Sequence, residues 1–214
     1  MSLSKLMIYG NGGLGLEIAD IARRINPNIE LHYINDFKYD NERVFSFDFV
    51  LKNRNLFYDF QFAIGVGDLF PRFEVSNKLI DNNLPLATLI DPTSLISPSA
   101  RIGKGCIVAP RVWIGPNTII EDYSFINAAT IMGHDIHIKK HSIISSSVNI
   151  GGNSVIGPLS YVGMSSTIKE KSIVGKGSVL GLGSVLHKSM GDGLLAIGNP
   201  ARPIQKIDDE FKLF

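Results

Sequence analysis

Cysteine is all but missing from this chain. Cys106 is the only one in 214 residues, so no disulfide can close within it. It stands where the surrounding repeat elsewhere has serine or threonine, which marks it as a packed thiol rather than a reactive one. Net charge is nearly missing too: 21 basic against 20 acidic residues leave +1. That removes the electrostatic footprint of a surface built for nucleic acid or anionic membrane. No apolar run approaches the roughly 20 residues of a membrane-spanning helix, and no secretory signal is visible. A cytoplasmic protein of one or two small domains is therefore expected, with neither nucleic acid nor membrane as partner.

What the sequence does have is an unbroken column. Every sixth residue from Ile96 to Leu186 is apolar: Ile96, Ile102, Val108, Ile114, Ile120, Ile126, Met132, Ile138, Ile144, Ile150, Ile156, Val162, Ile168, Val174, Leu180 and Leu186. A period of six fits neither an α-helix nor a half-buried strand, whose periods are about 3.6 and 2. It is the pattern of a parallel β-helix, each six-residue unit forming one flat side of a coil. Four residues after most anchors comes a small side chain, as at Ala100, Cys106, Thr118, Ser124, Thr130, Ser142, Ser154 and Ser160. One residue after many anchors comes glycine, as at Gly103, Gly115, Gly133, Gly151, Gly157, Gly163, Gly175 and Gly181. Glycine there is expected to turn the corner, because a residue without Cβ tolerates unusual backbone angles. A single coil cannot bury its own column, so stability must come from stacking.

The chain before the column reads differently. Lys5–Tyr9, Glu30–Ile34 and Phe60–Ile64 are strand-like; Leu16–Ile25 and Pro71–Asp81 are helix-like. This order predicts a short α/β domain over residues 1–84 with a parallel sheet, about half of a doubly wound dinucleotide fold, and a second domain over 85–214. Gly10-Asn11-Gly12-Gly13-Leu14-Gly15 matches G-x-G-x-x-G, and Asp36 follows at the spacing of a ribose-binding acid. Three readings stand: a tight turn only, a site for a phosphorylated or nucleotide ligand at a helix N-terminus, or an NAD(P) site.

Within the repeats most residues read as scaffold, with one exception. Gly133-His134-Asp135 places a proton-accepting ring beside a carboxylate that can orient it, at a coil corner. The alternative is a solvated surface pair. His137 and His141 lie nearby, yet no zinc-like spacing with a fourth ligand is present, and no metal is expected.

The period-six column, Gly133-His134-Asp135 and the late Gly198-Asn199-Pro200-Ala201-Arg202 together resemble the hexapeptide-repeat acyltransferases. Tyr9–Gly15 and Ile34-Asn35-Asp36-Phe37 narrow the resemblance to bacterial sugar O-/N-acyltransferases with a small nucleotide-binding domain, especially N-acetyltransferases of nucleotide-linked 4-amino-deoxysugars. The resemblance implies a left-handed β-helix assembled as a homotrimer, with acetyl-CoA as co-substrate and active sites between neighbouring prisms. It implies His134 as general base with Asp135 as its acidic partner, and Gly152 N–H as the oxyanion donor. Gly12, Gly13, Leu14, Asn35, Asp36 and Gly65 match nucleotide-pocket positions, and Asn127 a position near the sugar. Met164 and Leu182 fall where relatives contact the coenzyme. Ile143 occupies the coenzyme position at which some relatives carry a second histidine, so that histidine's role is not carried over. Relatives often have Asp-Asp where this chain has Asn35-Asp36. The expected reaction is N-acetylation of a UDP- or dTDP-linked amino-deoxyhexose for surface polysaccharide or glycan synthesis; the alternatives are sugar O-acetylation of the sialic-acid type and a non-catalytic scaffold.

Overall fold

A computed structural model describes residues 3–40 and 42–207, which divide into two compact units, Met1–Leu89 and Ile90–Phe214. The first unit is built on four parallel strands in the order β3-β2-β1-β4: β1 Lys5–Tyr9, β2 Glu30–Ile34, β3 Val44–Phe45 and β4 Gln61–Ile64. β1 is central, and its Leu6, Met7 and Ile8 are fully buried, which is why it reads as a continuous apolar run rather than an alternation. Helix α1 (Gly13–Ile25) turns Ile18, Ala19, Ile21 and Ala22 inward, and its last turn carries Arg23 and Arg24, the favourable sign for a helix C-terminus.

Two elements are not visible in the sequence pattern, strand β3 and helix α2 (Phe47–Lys52). Both are too short for a period to show. Ser46 caps α2 by accepting the Phe49 N–H at 3.2 Å. Around them Phe45, Phe49, Phe57 and Phe60 close an aromatic cluster with neighbouring centroids 5.2–6.4 Å apart. Helix α3 (Leu69–Asp81) begins two residues before Pro71, since proline fits the first turn of a helix, where its missing N–H is not needed. Beyond α3, Phe62 donates to Pro85 O and accepts from Ala87 N–H, both at 2.8 Å, which ties residues 85–87 to β4.

The second unit is a left-handed parallel β-helix. Two-residue strands repeat every six residues on three faces, so each coil takes 18 residues. Face one carries the outward residues Ile107, Phe125, Ile143, Tyr161 and Val179; face two, Leu95, Trp113, Ile131, Asn149, Thr167 and Val185; face three, Arg101, Ile119, His137, Val155 and Ile173. Register is strict: Ile114, Met132, Ile150, Ile168 and Leu186 stand one above another, and the anchors form one buried core. Strand Leu194–Gly198 continues face one beside Val179–Leu180, and Ala201–Lys206 pairs back on it antiparallel.

The small-residue column proves to be a hydrogen-bonded ladder. Thr118, Ser124, Thr130, Ser142, Ser154, Ser160 and Ser166 each donate to the carbonyl fifteen residues ahead, at 2.7–3.2 Å. These hydroxyls are buried, so each needs such a partner. Cys106 fills one rung, with Sγ 3.1 Å from Glu121 O.

The glycine column calls for a correction. The left-handed φ falls two residues later, at every sixth position from Arg111 to Lys171, including Tyr123, Asp135 and Leu159. The glycines after the anchors have ordinary φ. What they need is room: a Cβ on Gly157 would lie 2.6 Å from Lys176 N, and one on Gly163 2.5 Å from Leu182 N, both on the next coil. They are glycine because adjacent coils touch backbone to backbone there.

Candidate active site and nucleotide pocket

In the first unit the glycine-rich turn joins β1 to α1. Gly10 has φ +105, and a Cβ on Gly65 would lie 2.8 Å from Gly10 O and 2.9 Å from Gly15 Cα, so these three glycines pack backbone on backbone. Gly12 and Gly13 differ. Neither has positive φ, and nothing lies within 4 Å of a Cβ on either. The turn does not require them, and the start of α1 stays open to an approaching ligand.

Beside this turn is a cavity of ≈ 470 Å³ lined by Tyr9, Gly10, Asn11, Gly12, Ile34, Asn35, Asp36, Phe37, Val66, Pro71, Val75 and Lys78. Its polar side chains are locked together. Asn35 Nδ2 donates to Asn11 Oδ1 at 2.7 Å, and Asn35 Oδ1 accepts the N–H groups of Phe37 and Lys38 at 2.9 and 3.1 Å. Asp36 accepts from Tyr9 Oη at 2.5 Å and from Phe47 N–H at 2.8 Å, with Lys78 Nζ 3.7 Å away. Burial, then the hydrogen bond to Asp36, push the Tyr9 hydroxyl well above its ordinary range. Lys78 Nζ also lies 5.9 Å from the ring centroids of Tyr9 and Phe47. Tyr9 enters the sequence reading only as the first residue of the glycine motif and Lys78 not at all; Lys78 lies on α3, far along the chain from Asp36, and only the fold brings the two together. Leu14 is half-buried in α1, with its Cδ2 3.6 Å from a Cβ on Gly67.

In the second unit His134 and Asp135 stand at the corner between faces two and three. Nδ1 of His134 donates to Asp135 Oδ2 at 2.6 Å, and Asn117 Nδ2, one coil back, donates to Asp135 Oδ1 at 3.1 Å. The bond from His134, followed by that from Asn117, holds the Asp135 carboxyl below the usual carboxylate range. With Nδ1 carrying the proton toward a carboxylate, the neutral ring keeps its lone pair on Nε2. Gly152 is stacked one coil ahead, and a Cβ on it would lie 2.9 Å from His134 Nε2. The Gly152 N–H donates no hydrogen bond among the described residues. A base with a free lone pair and an unused backbone donor thus share one exposed corner.

The remaining site candidates lie elsewhere. Asn127, Met164 and Leu182 occupy the other edge of face two, where the chain arrives from face one; Asn127 Oδ1 accepts the Ala128 N–H at 2.7 Å, and Met164 and Leu182 are exposed. Within one chain they do not converge on His134. Ile143 is 2% exposed on face one, so it offers no surface to a ligand here. His137 pairs with Glu121 at 2.6 Å on face three, and His141 stacks on Tyr123 at 5.0 Å; neither joins His134. Among the described residues no group of His, Cys, Asp and Glu is arranged to hold a metal, and no helix is long and apolar enough to cross a membrane.

Residues 90–190 match the family described as the GMPPB C-terminal domain. The acetyltransferase domain of PglB from Neisseria gonorrhoeae FA1090 is 27% identical, with 94% of this chain and 99% of that one covered at a TM-score of 0.87; that domain has also been solved in complex with acetyl coenzyme A. PerB from Caulobacter crescentus, in complex with CoA and GDP-perosamine, is 21% identical, covering 95% and 98% at a TM-score of 0.86. WeeI from Acinetobacter baumannii AYE is 22% identical, covering 94% and 100% at 0.85.

Proposed function

We propose that this chain, a hexapeptide-repeat protein of the sugar acyltransferase kind, is an acetyl-CoA-dependent N-acetyltransferase acting on a nucleotide-linked amino sugar. The observation that carries the reading is the corner at which His134 Nε2, its lone pair free because Nδ1 is bonded to Asp135, faces Gly152 one coil away. His134 Nε2 removes a proton from the sugar amine as the nitrogen attacks the thioester carbonyl. Asp135 fixes the ring and stabilises the imidazolium. The Gly152 N–H offers a donor to the oxyanion that develops on the acetyl oxygen. The imidazolium then returns its proton to the departing thiolate. Gly12, Gly13, Asn35, Asp36 and Gly65 belong to the nucleotide end of the acceptor, where the open helix start suits a diphosphate.

The working enzyme is a homotrimer in this reading. Leu95, Trp113 and Ile131 form an exposed apolar file on face two, an unusual surface for a solitary chain. His134 lies on one edge of that face, and Asn127, Met164 and Leu182 on the other. Packing face two against a neighbour would bring the base of one copy to the coenzyme-contacting residues of the next.

The test is thiol release from acetyl-CoA against UDP-, dTDP- and GDP-linked amino sugars, with mass analysis of the product. Transfer to an amine, lost by about 10²–10⁴-fold in His134→Ala, is the expected outcome. Unchanged transfer in that variant removes the base, and transfer only to hydroxy sugars moves the activity to O-acetylation.

A further inference from the structure

The cavity beside the glycine turn carries one aromatic side chain that nothing among the described residues explains. Phe37 lines the cavity yet is 99% exposed, and it makes no ring or cation contact among the described residues. A benzene ring held wholly in water is unfavourable. Its exposure does not come from an unanchored segment, because Asn35 Oδ1 accepts the N–H groups of Phe37 and Lys38, and Asn35 is itself bonded to Asn11. Next door, Asp36 is fixed by Tyr9 and the Phe47 N–H. A pinned turn therefore presents a free ring at a cavity whose other walls include the apolar Ile34, Val66, Pro71 and Val75. The size and character of that cavity suit a flat heteroaromatic ring.

We propose that Phe37 is the stacking platform for the nucleobase, closing on its face once the nucleotide has entered. The proposal rests on the nucleotide-linked acceptor assigned above and adds to it the residue that grips the base. Every base has a π-face, so stacking supplies grip without choice. Choice among bases then falls to the polar atoms beneath, the Asn11–Asn35 amide pair and the Asp36–Tyr9–Lys78 cluster.

The experiment is calorimetric titration of UDP, dTDP, GDP and inorganic pyrophosphate into the wild-type chain, Phe37→Ala and Phe37→Tyr. Phe37→Ala should weaken all three nucleotides by about five- to a hundredfold, leave pyrophosphate unchanged, and raise KM for the sugar nucleotide but not for acetyl-CoA. Phe37→Tyr should bind like wild type. A Phe37→Trp chain should change emission on adding UDP, against the constant background of Trp113 in the second unit. Alanine and wild-type chains that bind the nucleotides equally overturn the platform, as does a change in molar mass showing that Phe37 instead covers another copy. A wild-type chain that binds none of the three nucleotides is a separate result, and overturns the nucleotide reading itself.

Discussion

In the proposed mechanism Gly152 is the residue at which packing and chemistry meet. A methyl group there would stand 2.9 Å from His134 Nε2 and 3.0 Å from Cε1, so the ring must move. Gly152→Ala should lower kcat by about 10²-fold, the usual cost of misplacing a reacting group by an ångström, while the melting temperature barely changes; steady-state kinetics beside a thermal melt checks this. The adjacency of His134 and Asp135 at a repeat corner is plain in the sequence, but spacing alone leaves a solvated surface pair equally open; the role of base comes from the resemblance. Asn117 is not legible there, since its link to Asp135 exists only once 18 residues are known to make a coil. Tyr9 gives a prediction of a different kind. An unfolded tyrosine ionises near pH 10, whereas the folded Tyr9 hydroxyl, raised by burial and by Asp36, keeps its proton to higher pH. Above about pH 10 the unfolded state therefore binds fewer protons than the native one, and stability falls as pH climbs. Tyr9→Phe should be less stable at pH 7 and show a flatter decline between pH 9 and 11 in urea melts.

At the scale of elements, the buried hydroxyl ladder and the glycine contacts set different tolerances. Ser142 donates to Gly157 O at 2.8 Å in the interior. Ser142→Ala should cost about 1 kcal/mol, or up to about 3 if the carbonyl is left without a partner. Cys106→Ser should be neutral or stabilising, because a hydroxyl suits the rung that Cys106 fills with a weaker donor. Chemical denaturation of both variants settles the comparison. The anchors are legible because they fill the core at a fixed interval, α1 because its apolar residues keep a helical period, and β1 because it is a continuous apolar run. The glycines were legible as a column but misread in cause: their neighbour is backbone on the next coil, a distance the local sequence does not express. Corner residues such as Arg111 and Leu159 carry left-handed φ without being glycine or asparagine, so no composition signal marks them. Strand β3 and helix α2 leave no mark in the sequence because two and six residues are too few to be periodic.

For the whole molecule, the proposed trimer makes face two the surface to test. Trp113 and Ile131 are both about half exposed and lie in register on neighbouring coils. Trp113→Lys with Ile131→Glu should leave the isolated β-helix folded, since neither side chain enters the core, while reducing both molar mass in light scattering and acetyl transfer. A trimer that persists in this double variant, fully active, would place the interface elsewhere. The period announces the β-helix, whereas the glycine turn leaves its three readings open, and the Asp36–Tyr9–Lys78 cluster needs three elements folded together.

The strict 18-residue coil also makes the prism a vernier. Deleting one residue between Gly152 and Leu182 would throw every later anchor out of phase and expose the core. Deleting a complete coil would leave each remaining side chain on its old face with equivalent neighbours, and would draw the far-end hairpin toward His134 by one strand spacing, about 4.8 Å. The reach between the base and the end of the prism can thus be set in whole steps, each adding or removing one self-similar storey and asking nothing new of the packing.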